Sequence, residues 1–197
     1  MTLNELYLLI KDLLKGYTQS ENPALVARRI TTLISGYSTS DIAARPDTII
    51  NNITRQDVEQ IINRVKNNDP LEYIFNNASF LDLELYTNSS VLVPRPETEE
   101  LAMMISSFLN NKTNKQILDI GTGSGCIPIY LALHNANNQY FACDISDKAI
   151  ATAQQNALKY NLKNIDIFAA DIFNYQNNNI LSKQTFDIIV SNPPYVA

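Results

Sequence analysis

Near the C-terminus, Asn192-Pro193-Pro194-Tyr195 combines residue types that can hold a planar amino group while its nitrogen attacks a methyl donor. The Asn side-chain oxygen accepts one N–H. The first proline locks the backbone so that a nearby main-chain carbonyl accepts the second, and the tyrosine ring offers a flat face for the group to lie against. The tetrapeptide follows Phe186-Asp187-Ile188-Ile189-Val190-Ser191, which reads as a buried strand ending where a ligand would sit. A Pro-rich loop after a strand is the plainer reading of the same four residues.

A second set of residues suits a cofactor. A predicted strand ends in Asp119-Ile120-Gly121-Thr122-Gly123-Ser124-Gly125. The third glycine comes two residues after the second, not three, so this is not the dinucleotide fingerprint. The D-x-G-x-G-x-G spacing resembles instead the first motif of S-adenosylmethionine-dependent methyltransferases, where glycines let the backbone turn tightly beside a ligand that carries no phosphate. The next strand ends in Cys143-Asp144, about twenty residues on, where doubly wound folds place an acid that accepts from both ribose hydroxyls. A helix cap is the alternative for Asp144. The third strand ends in Ala170-Asp171-Ile172-Phe173, where an acid followed by apolar residues can meet an adenine amino group and its ring face. Asp171 as a turn residue is the alternative there.

The elements that position these residues alternate. Strands are predicted at Gln116–Ile120, Gln139–Cys143, Ile165–Ala169 and Phe186–Val190, with helices at Ile127–Asn135 and Lys148–Tyr160 and an irregular link near 173–183. That alternation implies a parallel α/β sheet. Upstream, Glu97 to Asn110 reads as a helix with an acidic first turn. Leu81, Leu83 and Leu85 alternate with Asp82 and Glu84, then Thr87-Asn88-Ser89-Ser90 leads into Val91-Leu92-Val93, which predicts a β-hairpin with its turn at 87–90. Residues 1–75 read as four short amphipathic helices: a Thr2/Glu5 capping box, an Asn22-Pro23 start closed by Gly36, a short helix from Ser40 to Arg45, and a last one from Thr54.

Composition bounds the rest. At 197 residues, 45% hydrophobic and 18% charged, the chain has room for a core and allows a small domain plus an incomplete larger one. A net charge of −5 with no stripe of Lys or Arg argues against gripping a phosphate backbone, so no direct nucleic-acid binding is expected. Cys126 and Cys143 fall in apolar runs and read as buried thiols of a reducing compartment, and the single His134 excludes His-based metal sites and triads; no metal is expected. With no signal peptide and no apolar stretch near twenty residues, a soluble cytoplasmic protein with no membrane association is expected.

With these motifs in place the chain resembles the peptide chain release factor glutamine methyltransferases, which methylate the glutamine of a Gly-Gly-Gln loop. The resemblance runs through the helical N-terminus, Pro70-Leu71-Glu72-Tyr73-Ile74, Val93-Pro94-Arg95-Pro96-Glu97-Thr98-Glu99, Leu118 to Ile129, and Asn192 to Tyr195. Asn-Pro-Pro-Tyr alone is shared with DNA adenine and some ribosomal methyltransferases; the Pro-Arg-Pro-Glu-Thr-Glu segment beside this N-terminal domain is more specific. The resemblance implies an α/β fold comprising a small helical substrate-recognition domain (1–75), a β-hairpin linker (76–95) and a C-terminally incomplete Rossmann-like class I methyltransferase domain (96–197). Its sheet would run third, second, first, fourth strand. It implies S-adenosyl-L-methionine as cofactor, held by Gly121, Thr122, Gly123, Ser124, Gly125, Asp144, Ile172 and Asn192. A release factor would be the protein substrate, its glutamine amide held by Asn192, Pro193, Pro194 and Tyr195, with Asn192, Pro193 and Tyr195 carrying the chemistry. Arg95 to Thr98 would line the cofactor cleft, with Arg95 tying the hairpin to the sheet as the alternative. Asn76 stands where the family has Gly, and Asn also tolerates left-handed geometry.

An amide nitrogen is a poor nucleophile, so alignment against a reactive methyl donor is the protein's main task, and no strong base is needed at the outset. Two rival readings remain at this level: an adenine amino group in nucleic acid as substrate, and an inactive adaptor or fragment keeping the recognition domain. Family members continue for several elements beyond the point where this chain stops, two residues after Tyr195. An apolar fourth strand with an open edge is therefore expected, with weak cofactor binding and little activity of the chain alone.

Overall fold

The computed structural model describes residues 1–17, 22–51 and 53–193, so Pro194 and Tyr195 of the Asn-Pro-Pro-Tyr corner lie outside the described residues. Its helices begin where side chains satisfy the first backbone amides. Thr2 and Glu5 exchange reciprocal hydrogen bonds ahead of α1 (Leu3–Leu13), and Asn22 accepts the Ala24 N–H at 2.9 Å ahead of α2 (Pro23–Ser35), which ends at left-handed Gly36. Capping boxes of Ser38 with Asp41 and Thr54 with Asp57 start α3 (Thr39–Ala44) and α4 (Arg55–Lys66). The apolar faces of α1, α2 and α4 meet in a core of Leu6, Ile10, Leu14, Val26, Ile30, Val58 and Ile62. A fifth helix, α5 (Leu71–Phe75), was not expected: at five residues it is too short to display a helical period. These elements form one compact unit, Met1–Phe75.

The second unit, Asn76–Ala197, begins with Asn76 at φ +50°, so asparagine does adopt the left-handed geometry here. It includes the hairpin, which corrects the sequence reading. Strands β1 (Asn77–Phe80) and β2 (Leu83–Tyr86) pair antiparallel with Phe80 opposite Leu83, so the turn is Leu81-Asp82 and Val91–Val93 forms no strand. Leu81 sits at φ +53°. Left-handed geometry costs a side-chain-bearing residue about 1–2 kcal/mol; packing the Leu81 side chain on the main core offsets this, and its N–H donates to Glu99 Oε1 at 2.9 Å.

Four parallel strands follow: β3 (Gln116–Ile120), β4 (Gln139–Asp144), β5 (Ile165–Ala169) and β6 (Ile188–Ser191), in the expected order β5-β4-β3-β6. On one face, Ile117, Tyr140 and Val190 pack under α6 (Pro96–Leu109), α7 (Cys126–His134) and α8 (Asp147–Lys159) together with the hairpin residues Phe80, Leu83 and Leu85. α7 is apolar around most of its circumference because it is enclosed on several sides. On the other face Leu118, Phe141 and Cys143 pack with Leu181 and Phe186. β6 is locked onto β3 at its entry, where Asp187 accepts from the Gln116 N–H at 2.9 Å and pairs with Lys115 at 2.8 Å, contacts that hold its carboxyl below the usual range.

Asn156 of α8 is fully buried and connects three segments. Its Oδ1 accepts the Tyr86 N–H at 2.7 Å, while Nδ2 donates to the carbonyls of Tyr86 and Ser124, each at 2.9 Å. Asn156→Ala would strand these backbone groups in the interior, where each unsatisfied group costs about 1–3 kcal/mol. Denaturant titration should therefore show Asn156→Ala to be destabilised by roughly 3 kcal/mol or more; a loss within the usual ±0.5 kcal/mol of a surface substitution would contradict this account.

Candidate active site

The C-terminal ends of the parallel strands surround a cavity of about 400 Å³. Gly121 and Gly123 after β3, Asp144 at the end of β4, Ile172 after β5 and Asn192 after β6 all line it, so residues drawn from four separate stretches meet around one space. Its volume falls in the range of small-molecule sites. A smaller cavity of about 50 Å³ adjoins through the shared Gly121, Gly123 and Asn192, and is lined also by Arg95, Thr98, Asp119, Thr122 and Ser124.

The glycine loop is shaped from below. The N–H groups of Gly121 and Thr122 donate to the Cys143 carbonyl at 2.8 and 3.0 Å, and Gly123 N–H donates to Asp144 Oδ2 at 3.0 Å. The other Asp144 oxygen accepts the Ser146 N–H at 3.0 Å. Each carboxylate oxygen has a further lone pair, so these bonds fix Asp144 without exhausting its capacity to accept. A Cβ on Gly123 would meet open space, leaving room for a ligand against the backbone. Gly125 has a different setting: it lines neither cavity, and a Cβ there would come within 2.9 Å of Ile129 Cδ1 and 3.2 Å of the Ala153 Cβ, so its smallness lets α7 approach α8.

Asp171 is a turn residue, as one of its two readings has it, and it stands at the cavity. It caps the 3-10 turn Ile172–Asn177, accepting the Phe173 N–H at 2.9 Å, and it also lines the large cavity. Asn192 Nδ2 donates to Thr98 Oγ1 at 2.7 Å, and Pro193 follows, exposed. Arg95 and Thr98 line the smaller cavity; the tie between this segment and the hairpin runs through Glu99.

Ile145 escaped the sequence reading, and Asp119 had no role in it. Ile145 and Phe173, respectively 74% and 93% exposed, flank the large cavity as bare apolar walls beside Asp144 and Asp171. Apolar side chains beside a cavity suit the apolar face of a ligand. Asp119, the acid that opens the glycine motif, is buried; desolvation pushes its carboxyl up to about 7, the Thr122 hydroxyl opposes that rise and the charge of Asp144 adds to it. The same burial pushes the thiols of Cys126 and Cys143 up to about 12 and about 11, leaving them unreactive. Among the described residues no cluster of His, Cys, Asp and Glu could hold a metal ion, and no helix is long and apolar enough to cross a membrane.

Residues 99–197 match the family profile of the methyltransferase small domain. A release factor glutamine methyltransferase of Flavobacterium psychrophilum is 43% identical over 159 residues, 79% of this chain and 54% of that protein. The enzyme of the same description from Lactococcus lactis is 43% identical over 148 residues, covering 74% and 52%. That from Bacteroides thetaiotaomicron is 33% identical over 198 residues, covering 98% of this chain and 68% of its own. The chain thus spans about half the length of the first two relatives.

Asp119 makes stability depend on pH in a defined direction. Its carboxyl in the folded state lies above the ordinary value of 3.8, so the folded state holds a proton that the unfolded state has released. Stability is therefore lost as pH rises from 3.8 to about 7, by on the order of 4 kcal/mol at most. Asp119→Asn removes that loss. In denaturation measured from pH 4 to pH 8, the stability of Asp119→Asn relative to the unaltered chain should climb through this window and level off above it; a constant difference would refute the assignment.

Proposed function

The chain belongs to the release factor glutamine methyltransferase family, and from that membership we propose that it binds S-adenosyl-L-methionine in the large cavity and methylates the side-chain amide of the release-factor glutamine. The observation that carries this reading is the meeting of Gly121, Gly123, Asp144, Ile172 and Asn192 around a single cavity at the strand ends. The residues fit the cofactor: a backbone loop open above Gly123, carboxylates at Asp144 and Asp171, and exposed apolar walls at Ile145 and Phe173 suit ribose hydroxyls, an amino group and a flat purine. A buried carboxyl at Asp119 beside the smaller cavity suits a cationic group, which would favour its ionised form.

When bound, the cofactor supplies a methyl group on a sulfonium, which is why the protein's work is alignment. In this proposal Asn192 Oδ1 accepts one N–H of the substrate amide and the Pro193 carbonyl accepts the other. Holding both hydrogens fixes the plane of the amide and presents its nitrogen in line with the donor. Pro194 and Tyr195 would complete the grip, the ring covering the amide face. The N-terminal helical unit would recognise the release factor, in a cytoplasmic setting where translation factors work, with no nucleic acid, membrane or metal taking part. Proton loss follows transfer, so no base has to be poised beforehand.

Incubation of the protein with labelled cofactor and either a release factor or DNA tests the substrate: label on the release-factor glutamine supports the proposal and label on DNA adenine opposes it. Two variants separate the roles. Asp144→Ala should weaken cofactor affinity in calorimetric titration, by about 1.5–3 kcal/mol for each ribose hydroxyl that no longer finds the carboxylate. Asn192→Ala should cut turnover roughly 10²-fold or more, far more than it weakens that affinity; turnover within a few-fold of the original would sink the amide clamp.

A further inference from the structure

We propose that Leu92 is a specificity-determining residue: its apolar side chain lies against the sulfur of the bound cofactor and withholds solvation from the sulfonium. The inference rests on the cofactor reading above. Among the described residues, four border both cavities: Leu92, Gly121, Gly123 and Asn192. They mark the passage between the large cavity and the small space beside the buried Asp119. In that reading the nucleoside fills the large cavity and the cationic amino group approaches Asp119. Sulfur is the atom that joins those two ends of the cofactor, so it sits at the passage. Two of the four bordering residues are glycines and Asn192 carries a carboxamide. Leu92 is thus the one apolar side chain among them.

The segment that carries Leu92 is held on both sides. Upstream, Asn88 Nδ2 donates to Thr152 Oγ1 of α8 at 3.2 Å, and Asn88 Oδ1 accepts the Ser90 N–H at 2.8 Å. The adjacent Val91 is buried, and its N–H donates to the Asn88 carbonyl at 3.2 Å. Downstream, Pro94 and Pro96 restrict the backbone where it enters α6. Leu92 itself is 52% exposed, so a ligand can cover it without displacing the core. A sulfonium beside a leucine loses hydration that nothing on that side replaces, whereas the neutral thioether left after transfer loses little. The positive charge starts on sulfur and is shared with nitrogen as the methyl group moves. An apolar wall therefore raises the starting state more than the crossing. It also makes the site favour S-adenosylhomocysteine over S-adenosylmethionine more than a polar wall would.

Calorimetric titration of the full chain with S-adenosylmethionine and with S-adenosylhomocysteine reads this discrimination. Leu92→Asn, close in size but polar, should shift the ratio of the two dissociation constants toward the sulfonium by about threefold or more; a smaller shift overturns the proposal. Leu92→Met, which stays apolar, should not shift it, and an equal shift in both variants overturns the proposal as well. A second measurement does not depend on how Leu92→Asn folds. Leu92→Cys places a thiol at the passage, while the native Cys126 and Cys143 are buried. Its alkylation by N-ethylmaleimide should slow about tenfold or more when S-adenosylhomocysteine saturates the site. An unchanged rate, with binding confirmed by calorimetry, overturns the proposal and leaves the cofactor reading intact. If the unaltered chain binds neither compound, the cofactor reading fails and the role of Leu92 falls with it.

Discussion

One buried carboxamide holds the second unit together where it matters for chemistry. Asn156 lies in α8, yet its three hydrogen bonds reach the end of β2 and the loop after β3. It treats Tyr86 as a neighbouring strand would, pairing with both its N–H and its carbonyl, and so extends the order of the hairpin into the helix layer. The same side chain holds Ser124 inside the glycine loop. The hairpin and α8 are therefore part of what shapes that loop, although the hairpin residues it bonds lie outside both cavities.

Topology explains why the cavities form where they do. From β3 the chain steps outward through β4 to β5, then returns to place β6 on the other side of β3. The loops leaving β3 and β6 consequently diverge at their carboxyl ends, and a crevice opens between them. Gly121 stands on one side of that crevice and Asn192 on the other. Parallel pairing of Ile120 with both Cys143 and Ser191 brings three strand ends level, which is what lets short loops from each reach the same ligand.

The parts of this arrangement that were legible in the sequence are those with local signals. β3 and β5 end as read because apolar runs there stop at Gly121 and at Ala170-Asp171. The caps at Thr2, Asn22 and Thr54 are readable because the capping residue and its partner lie within three positions. The hairpin turn was misplaced because Leu81-Asp82 carries no Gly, Asn or Pro, and its left-handed leucine is stabilised by packing and by Glu99, eighteen positions away. Asn156 and the contact of Thr98 with Asn192 depend on partners 70 and 94 positions distant, and Asp119 on burial; none leaves a mark in a local window. The residues lining the large cavity were largely readable because glycine spacing and acids at strand ends are local chemistry, whereas the exposed Ile145 is an ordinary apolar residue until the fold leaves it uncovered.

The two bonds that Asp144 receives from Gly123 and Ser146 bear on the thermodynamics of ligand capture. Glycine loses more backbone freedom on ordering than any other residue, and each residue fixed costs about 1–2 kcal/mol in conformational entropy. Here that ordering accompanies folding, since the bonds that tie the loop to Cys143 and Asp144 lie within the protein. The affinity of a ligand then follows from its own burial and desolvation, with little entropy left to be spent on closing the loop around it.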